Sequence, residues 1–198
     1  MEVWLVQYPW IGMILWTLIY ISDYALTIAS ARKYRGNPHV EFEGSFEMNP
    51  VFERDVNLLN PVSMRHLLLL VLSNLLLALF SFLFSAIRYR SGFSFILGMF
   101  VLMEVAVHFR HFRNLHLLTI SKGPGGLEGK LSYRRWLIFS TSSFEFACFA
   151  LLYLMTAILT YSLFFAGGAI GCLVIAIKHY NGYRTLYKKT STDGEAST

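Results

Sequence analysis

AILTYSLFFAGG, residues 157–168, sets the number of times this chain turns back on itself. It lies in a run from residue 136 to 177 whose only charged residue is Glu145. As one helix that run would extend about 60 Å, twice the thickness of a bilayer's hydrocarbon core. It must therefore turn once, although no charged loop marks the place. A helix continued to Gly167 would leave too little apolar chain for another crossing. The sequence thus places a tight turn at Thr160 to Ser162, between spans at 136–158 and 161–178.

Three earlier apolar runs, at 3–31, 64–87 and 92–118, are each long enough for a crossing, which takes about 20 helical residues. The 198-residue chain is 55% hydrophobic and only 15% charged, where soluble domains carry about a quarter charged residues. The expected fold class is an all-α integral membrane protein, a five-span transmembrane helix bundle forming one domain over residues 1–189. Residues 32–63 would be its one sizeable loop and 190–198 a disordered tail. With five spans, thirteen Lys and Arg residues fall on the side of the first loop, third loop and C-terminus, against Arg88 and Arg90 on the other. Basic loops are retained in the cytoplasm, so the N-terminus is expected outside and the C-terminus in the cytoplasm. Four spans would put the basic tail on the wrong side.

The opening MEVWLVQYPW has no basic segment before its apolar run and reads as an uncleaved first span. The net charge of +5 follows from the basic loops, with anionic membrane lipids as its counter-charge and no nucleic-acid partner. Cys148 and Cys172 fall inside spans and read as small packing residues. In the first loop, VEFEGSF (residues 40–46) fits either a short strand or a segment dipping into lipid. The third loop, SKGPGGLEGK (residues 121–130), is a flexible connector without phosphate-loop spacing, because Lys130 is followed by Leu131. Gly167 and Gly171 have the small-residue spacing that lets helices approach, here assigned to the last two spans.

Chemistry concentrates in EVAVHFRHFRNLH, residues 104–116. At 100° per helical residue, Glu104, His108 and His111 share a stripe about 60° wide, while Arg110 and Arg113 point to the opposite side. Counted from the cytoplasmic ends of their spans, Asp23, Asn74, His108, His111 and Glu145 all lie about 10–15 Å deep and Glu104 about 21 Å. Ionisable residues inside a span are costly and usually mark a function. Imidazole and carboxylate together suit one divalent transition metal, zinc, iron or manganese, with Glu104, His108 and His111 as ligands. Asp23 and Glu145 are the catalytic carboxylates, as a further ligand or general base, and an open coordination position would supply an acidic water. Arg110 and Arg113 are the candidates for binding substrate or lipid headgroups. The plain alternative is a structural network of ion pairs, with the arginines reaching to headgroups. His39 and His179 read as ordinary loop residues.

Asp23-x-x-x-Thr27, then Glu47-x-Asn49-Pro50, and Asn181 after the last span resemble a widespread group of small prokaryotic integral-membrane proteins of unknown function. The resemblance implies a prokaryotic plasma-membrane location and a polar cluster of Thr27, Glu47 and Asn49 beside Asp23, with Asn74 as a further supporting residue from the depth count. It names no reaction. The expected function is a metal-dependent hydrolase acting on a lipid or membrane peptide from a cytoplasm-facing site. The rivals are a proton or divalent-metal transporter or channel, which would need polar residues continuing through the outer half, and a non-catalytic membrane scaffold or assembly subunit.

Overall fold

The computed structural model describes residues 2–123 and 127–195. In chain order it comprises α1 (Glu2–Gln7), α2 (Pro9–Arg35), β1 (Val40–Phe42), α3 (Glu53–Asn57), α4 (Met64–Ala86), α5 (Ser91–Ile120), β2 (Leu131–Tyr133), α6 (Arg135–Thr160) and α7 (Leu163–Glu195). Five of these helices, α2, α4, α5, α6 and α7, are long and apolar enough to cross a membrane.

The turn expected from AILTYSLFFAGG is present. α6 ends at Thr160, Tyr161 takes a left-handed φ of 52°, and the Ser162 hydroxyl accepts the Phe165 N–H to open α7. The first apolar run, expected as one helix over 3–31, is instead broken before Pro9, whose missing N–H suits the first turn of α2. At the other end α7 continues to Glu195, so residues 190–195 are helical rather than the expected disordered tail. The run of alternating Tyr and basic residues after Ile177 continues a helix that α6 supports, with Trp136 packing on Tyr183 and Tyr187. Residues 196–198 of that tail, and 124–126 of the glycine-rich connector, lie outside the described residues.

Contacts fix the helix directions. Trp16 meets Phe100, Ser22 meets His108 and Asn37 meets Ser121, so α2 and α5 run parallel. Ser142 meets His179 and Tyr153 meets Phe165, so α6 and α7 run antiparallel. α5 is the central helix. A Cβ on Gly167 would stand 1.9 Å from the Phe95 carbonyl oxygen, and one on Gly98 1.9 Å from that of Phe164. The glycines thus seat α7 against α5, and the small-residue pair Gly167 and Gly171 serves this contact rather than the α6–α7 contact expected from sequence. The apolar core of Trp16, Leu77, Phe93, Leu97 and Val101 fills the half of the bundle away from the long loops.

At the loop-bearing end the chain builds a cap. VEFEGSF resolves as a strand: β1 pairs in parallel with β2, Val40 opposite Leu131 and Phe42 opposite Tyr133. Phe42 and Phe46 stack among Tyr34 and Tyr133 instead of pointing to lipid. Lys130 reaches Glu41 at 2.7 Å and Arg134 reaches Glu43 at 3.3 Å. A second small core of Tyr24, Ile28, Ala31 and Val56 docks α3 on the end of α2.

Candidate functional site

Asp23, Glu104 and His108 offer ligand atoms that all lie within 4.8 Å of one another. The stripe geometry explains this: the Glu104 and His108 face of α5 is turned to α2, and Glu104 is 5% exposed. His108 Nδ1 stands 2.9 Å from the Glu104 carbonyl oxygen. A ring nitrogen facing a carbonyl must carry its hydrogen, which leaves the Nε2 lone pair of a neutral ring available. Ser22 Oγ lies 2.7 Å from Nε2 and 2.8 Å from the Ile19 carbonyl. One hydroxyl hydrogen serves only one of these two acceptors at a time. Two carboxylates and one such imidazole suit zinc, iron or manganese.

His111 stands apart from this ligand set. Its Nε2 lies 2.9 Å from Asp23 Oδ1 and 3.3 Å from Thr27 Oγ1, so it holds the carboxylate from behind. It is 7% exposed, and its buried Nδ1 has no partner among the described residues. The sequence expected His111 among the ligands; the three atoms that converge belong to Asp23, Glu104 and His108. Ligating carboxylates are commonly oriented by such a hydrogen bond.

Both arginines bond within the protein, although Arg113 is exposed. Arg110 donates to Ser142 Oγ at 2.6 Å and lies 5.6 Å over the Phe146 ring. Arg113 pairs with Glu145. Glu145 therefore sits across α5 from Asp23, engaged with Arg113, and is separate from the carboxylate cluster it was expected to join. Thr141, one turn before it, bonds the Leu137 and Ile138 carbonyls of its own helix. Asn74 is also elsewhere. It donates to Thr17 Oγ1 at 3.0 Å and the Leu70 carbonyl at 3.0 Å, pinning α4 to α2 well inside the bundle.

The shared-depth estimate fails for a physical reason. His66, in the first turn of α4, stacks on Tyr20 at 4.1 Å and contacts Tyr24 at 4.8 Å. Asp23 is thus level with the start of α4, the shortest of the five long helices, and the last three turns of α2 project beyond it into the cap. The site lies at the end of the bundle.

The loop also contributes. Asn49 donates its N–H to Glu47 Oε1 at 2.8 Å and accepts the Val51 N–H at 3.1 Å, so Asn49 shapes the turn that presents Glu47. Glu47 is within electrostatic reach of Arg110, His111 and Asp23, and burial pushes its carboxyl above the usual range. Of the expected cluster, Thr27 reaches His111 and Glu47 lies within electrostatic reach of Asp23, while Asn49 is exposed and bonds within its own turn. Asn181, expected after the last span, is an exposed residue within α7.

Between α5 and α6, roofed by the β1–β2 cap, lies a groove of about 550 Å³. Arg110, His111, Arg113, Glu47 and Glu145 line its polar part, and Leu117, Leu118, Ile120, Ile138 and Phe46 its apolar part. His111 joins this groove to the Asp23 cluster. Sequence reasoning missed Ser22, Ser142 and His179. His179 is a helical residue whose Nδ1 lies 2.8 Å from Ser142 Oγ, and Ser142 accepts from Arg110. The spacing of Ser142, Glu145 and Phe146, three and four residues apart on α6, is the signal that could have found the first of these pairs.

No protein-family model, curated protein or solved structure matches the chain.

Proposed function

We propose that the protein is a multi-pass membrane hydrolase that holds one divalent transition metal through Asp23, Glu104 and His108, and acts on a lipid or membrane peptide lodged in the groove between α5 and α6. Its N-terminus lies outside and its C-terminus in the cytoplasm, a reading supported by the thirteen-to-two distribution of loop cations. The observation that carries the reading is the convergence of the three ligand atoms within 4.8 Å, on two helices at the loop-bearing end of the bundle. A bound metal supplies Lewis acidity and lowers the pKa of water. Asp23 and Glu104 provide carboxyl oxygens, His108 a lone pair fixed by its Nδ1 bond, and His111 orients Asp23. Arg110, Arg113 and Glu47 face the groove and bind and orient the substrate.

The transporter reading ranks second because the outer half is closed. Leu77 and Leu97 are fully buried there, with Phe93 and Trp16 beside them.

The test is hydrolysis in liposomes. The full-length protein, reconstituted with labelled phospholipid or a labelled membrane peptide, is expected to release product with zinc, iron or manganese. Product should fall to background with chelator or in the Asp23→Asn, His108→Ala double variant. Release unaffected by chelation and by the double variant would remove the metal from the reaction.

A further inference from the structure

The floor of the groove pairs two unmet requirements. Arg110 spends one of its five N–H donors on Ser142 and forms no ion pair among the described residues. Glu145 gives one oxygen to Arg113, while its buried Oε2 has no hydrogen-bond partner among the described residues. A buried carboxylate oxygen without a donor is costly, and native structures rarely leave one. An occupant that satisfies the floor therefore brings an anion for Arg110 and an N–H or O–H donor for Glu145.

Position narrows the class. Arg110 lies 19 residues beyond Ser91, the start of α5, which is about 28 Å along the helix. The hydrocarbon core is about 30 Å thick, so in the orientation proposed above the guanidinium sits at headgroup level. Phe109, Phe112 and Phe144 are 60%, 55% and 72% exposed on the same two helices and offer apolar surface for acyl chains.

We propose that the floor of this groove binds a phospholipid headgroup carrying both a phosphate and a hydrogen-bond donor, with the phosphate on Arg110 and the ammonium of phosphoethanolamine on Glu145 Oε2. Phosphocholine offers the phosphate but no donor. Phosphoglycerol offers hydroxyl donors in place of the ammonium. The inference names the substrate class of the proposed hydrolase and rests on that reading for its chemistry, though lipid retention itself needs no metal.

The experiment uses the full-length protein in detergent, stripped of co-purified lipid and treated with chelator. Native mass spectrometry then measures retention of phosphatidylethanolamine, phosphatidylglycerol and phosphatidylcholine with identical acyl chains. Phosphatidylethanolamine is expected to be retained about tenfold over phosphatidylcholine, with phosphatidylglycerol between them. Glu145→Gln should bring phosphatidylethanolamine down to the phosphatidylcholine level and leave the latter unchanged. Equal retention of phosphatidylethanolamine and phosphatidylcholine by the wild-type chain overturns the proposal, and needs no variant to fold. Preference for phosphatidylglycerol overturns the ammonium assignment, as does selectivity that survives in a folded Glu145→Gln variant. Headgroup selectivity in a protein that elemental analysis shows never to hold metal would sink the hydrolase and keep the lipid site; metal without selectivity would do the reverse.

Discussion

Asn74 and Asp23 show how similar polar residues in neighbouring helices take different roles. Asn74 exchanges hydrogen bonds with Thr17, an interaction contained between α2 and α4. Asp23 faces Glu104, His108 and His111 and carries the charge of the site. Asn74→Ala is expected to destabilise the protein by about 1 kcal/mol, as interhelical hydrogen bonds in membranes do, with metal content unchanged. Unfolding in mixed detergent, with metal analysis of the same sample, checks this. Loss of metal in Asn74→Ala would return Asn74 to the site. The helical stripe made Glu104 and His108 legible in the sequence, because 100° periodicity fixes which residues of one helix share a face. It could not tell which neighbour that face meets. His111, 20° from Glu104 on the same stripe, was therefore assigned as a ligand although the third converging atom belongs to Asp23.

The first loop is the element in which charge and folding are most closely coupled. Asp55 accepts from the Ser63 hydroxyl at 2.6 Å and the Asn60 amide at 3.1 Å, and these bonds hold its carboxyl below the usual range. Ser63 also caps α4 by accepting the His66 N–H. The folded pKa of Asp55 lies below its unfolded value, so its contribution is complete above an ordinary carboxyl pKa of about 4 and is lost as pH falls through the lowered value. Glu47 has the opposite sign. Burial raises its folded pKa, so the stability from its protonated form is complete below the ordinary range and is lost as pH rises through the elevated value. Hydrogen exchange over residues 45–63 should therefore slow between an acid-side and a neutral-side loss of protection. Asp55→Asn should flatten the acid side and Glu47→Gln the neutral side. A wild-type profile flat across this range would show that neither carboxyl governs the loop. The alternation in VEFEGSF allowed a strand, but the β1–β2 pairing joins segments 91 residues apart, a distance that local pattern does not encode.

In the whole molecule, five long apolar helices with alternating direction bring the first loop, the third loop and the end of α7 to one end. The number of crossings was readable because apolar length has a fixed physical scale, about 20 residues per crossing. Packing partners were not, because in α5, α6 and α7 apolar residues occur on all faces and only close glycine contacts select α5 for α7. The same one-end clustering makes orientation testable. Cysteine-accessibility mapping is expected to place Lys188 in the cytoplasm and Arg88 outside; labelling of Lys188→Cys from outside intact cells would invert the molecule and turn the site outward.

Elemental analysis of the full-length protein, purified without chelator, tests the Asp23, Glu104 and His108 cluster most directly. About one zinc, iron or manganese ion per chain is expected, falling to background in His108→Ala while the variant still melts as a folded protein. A wild-type chain that holds no metal, and whose melting temperature is unchanged by adding each of the three, would leave Asp23, Glu104 and His108 as a hydrogen-bonded network without an ion.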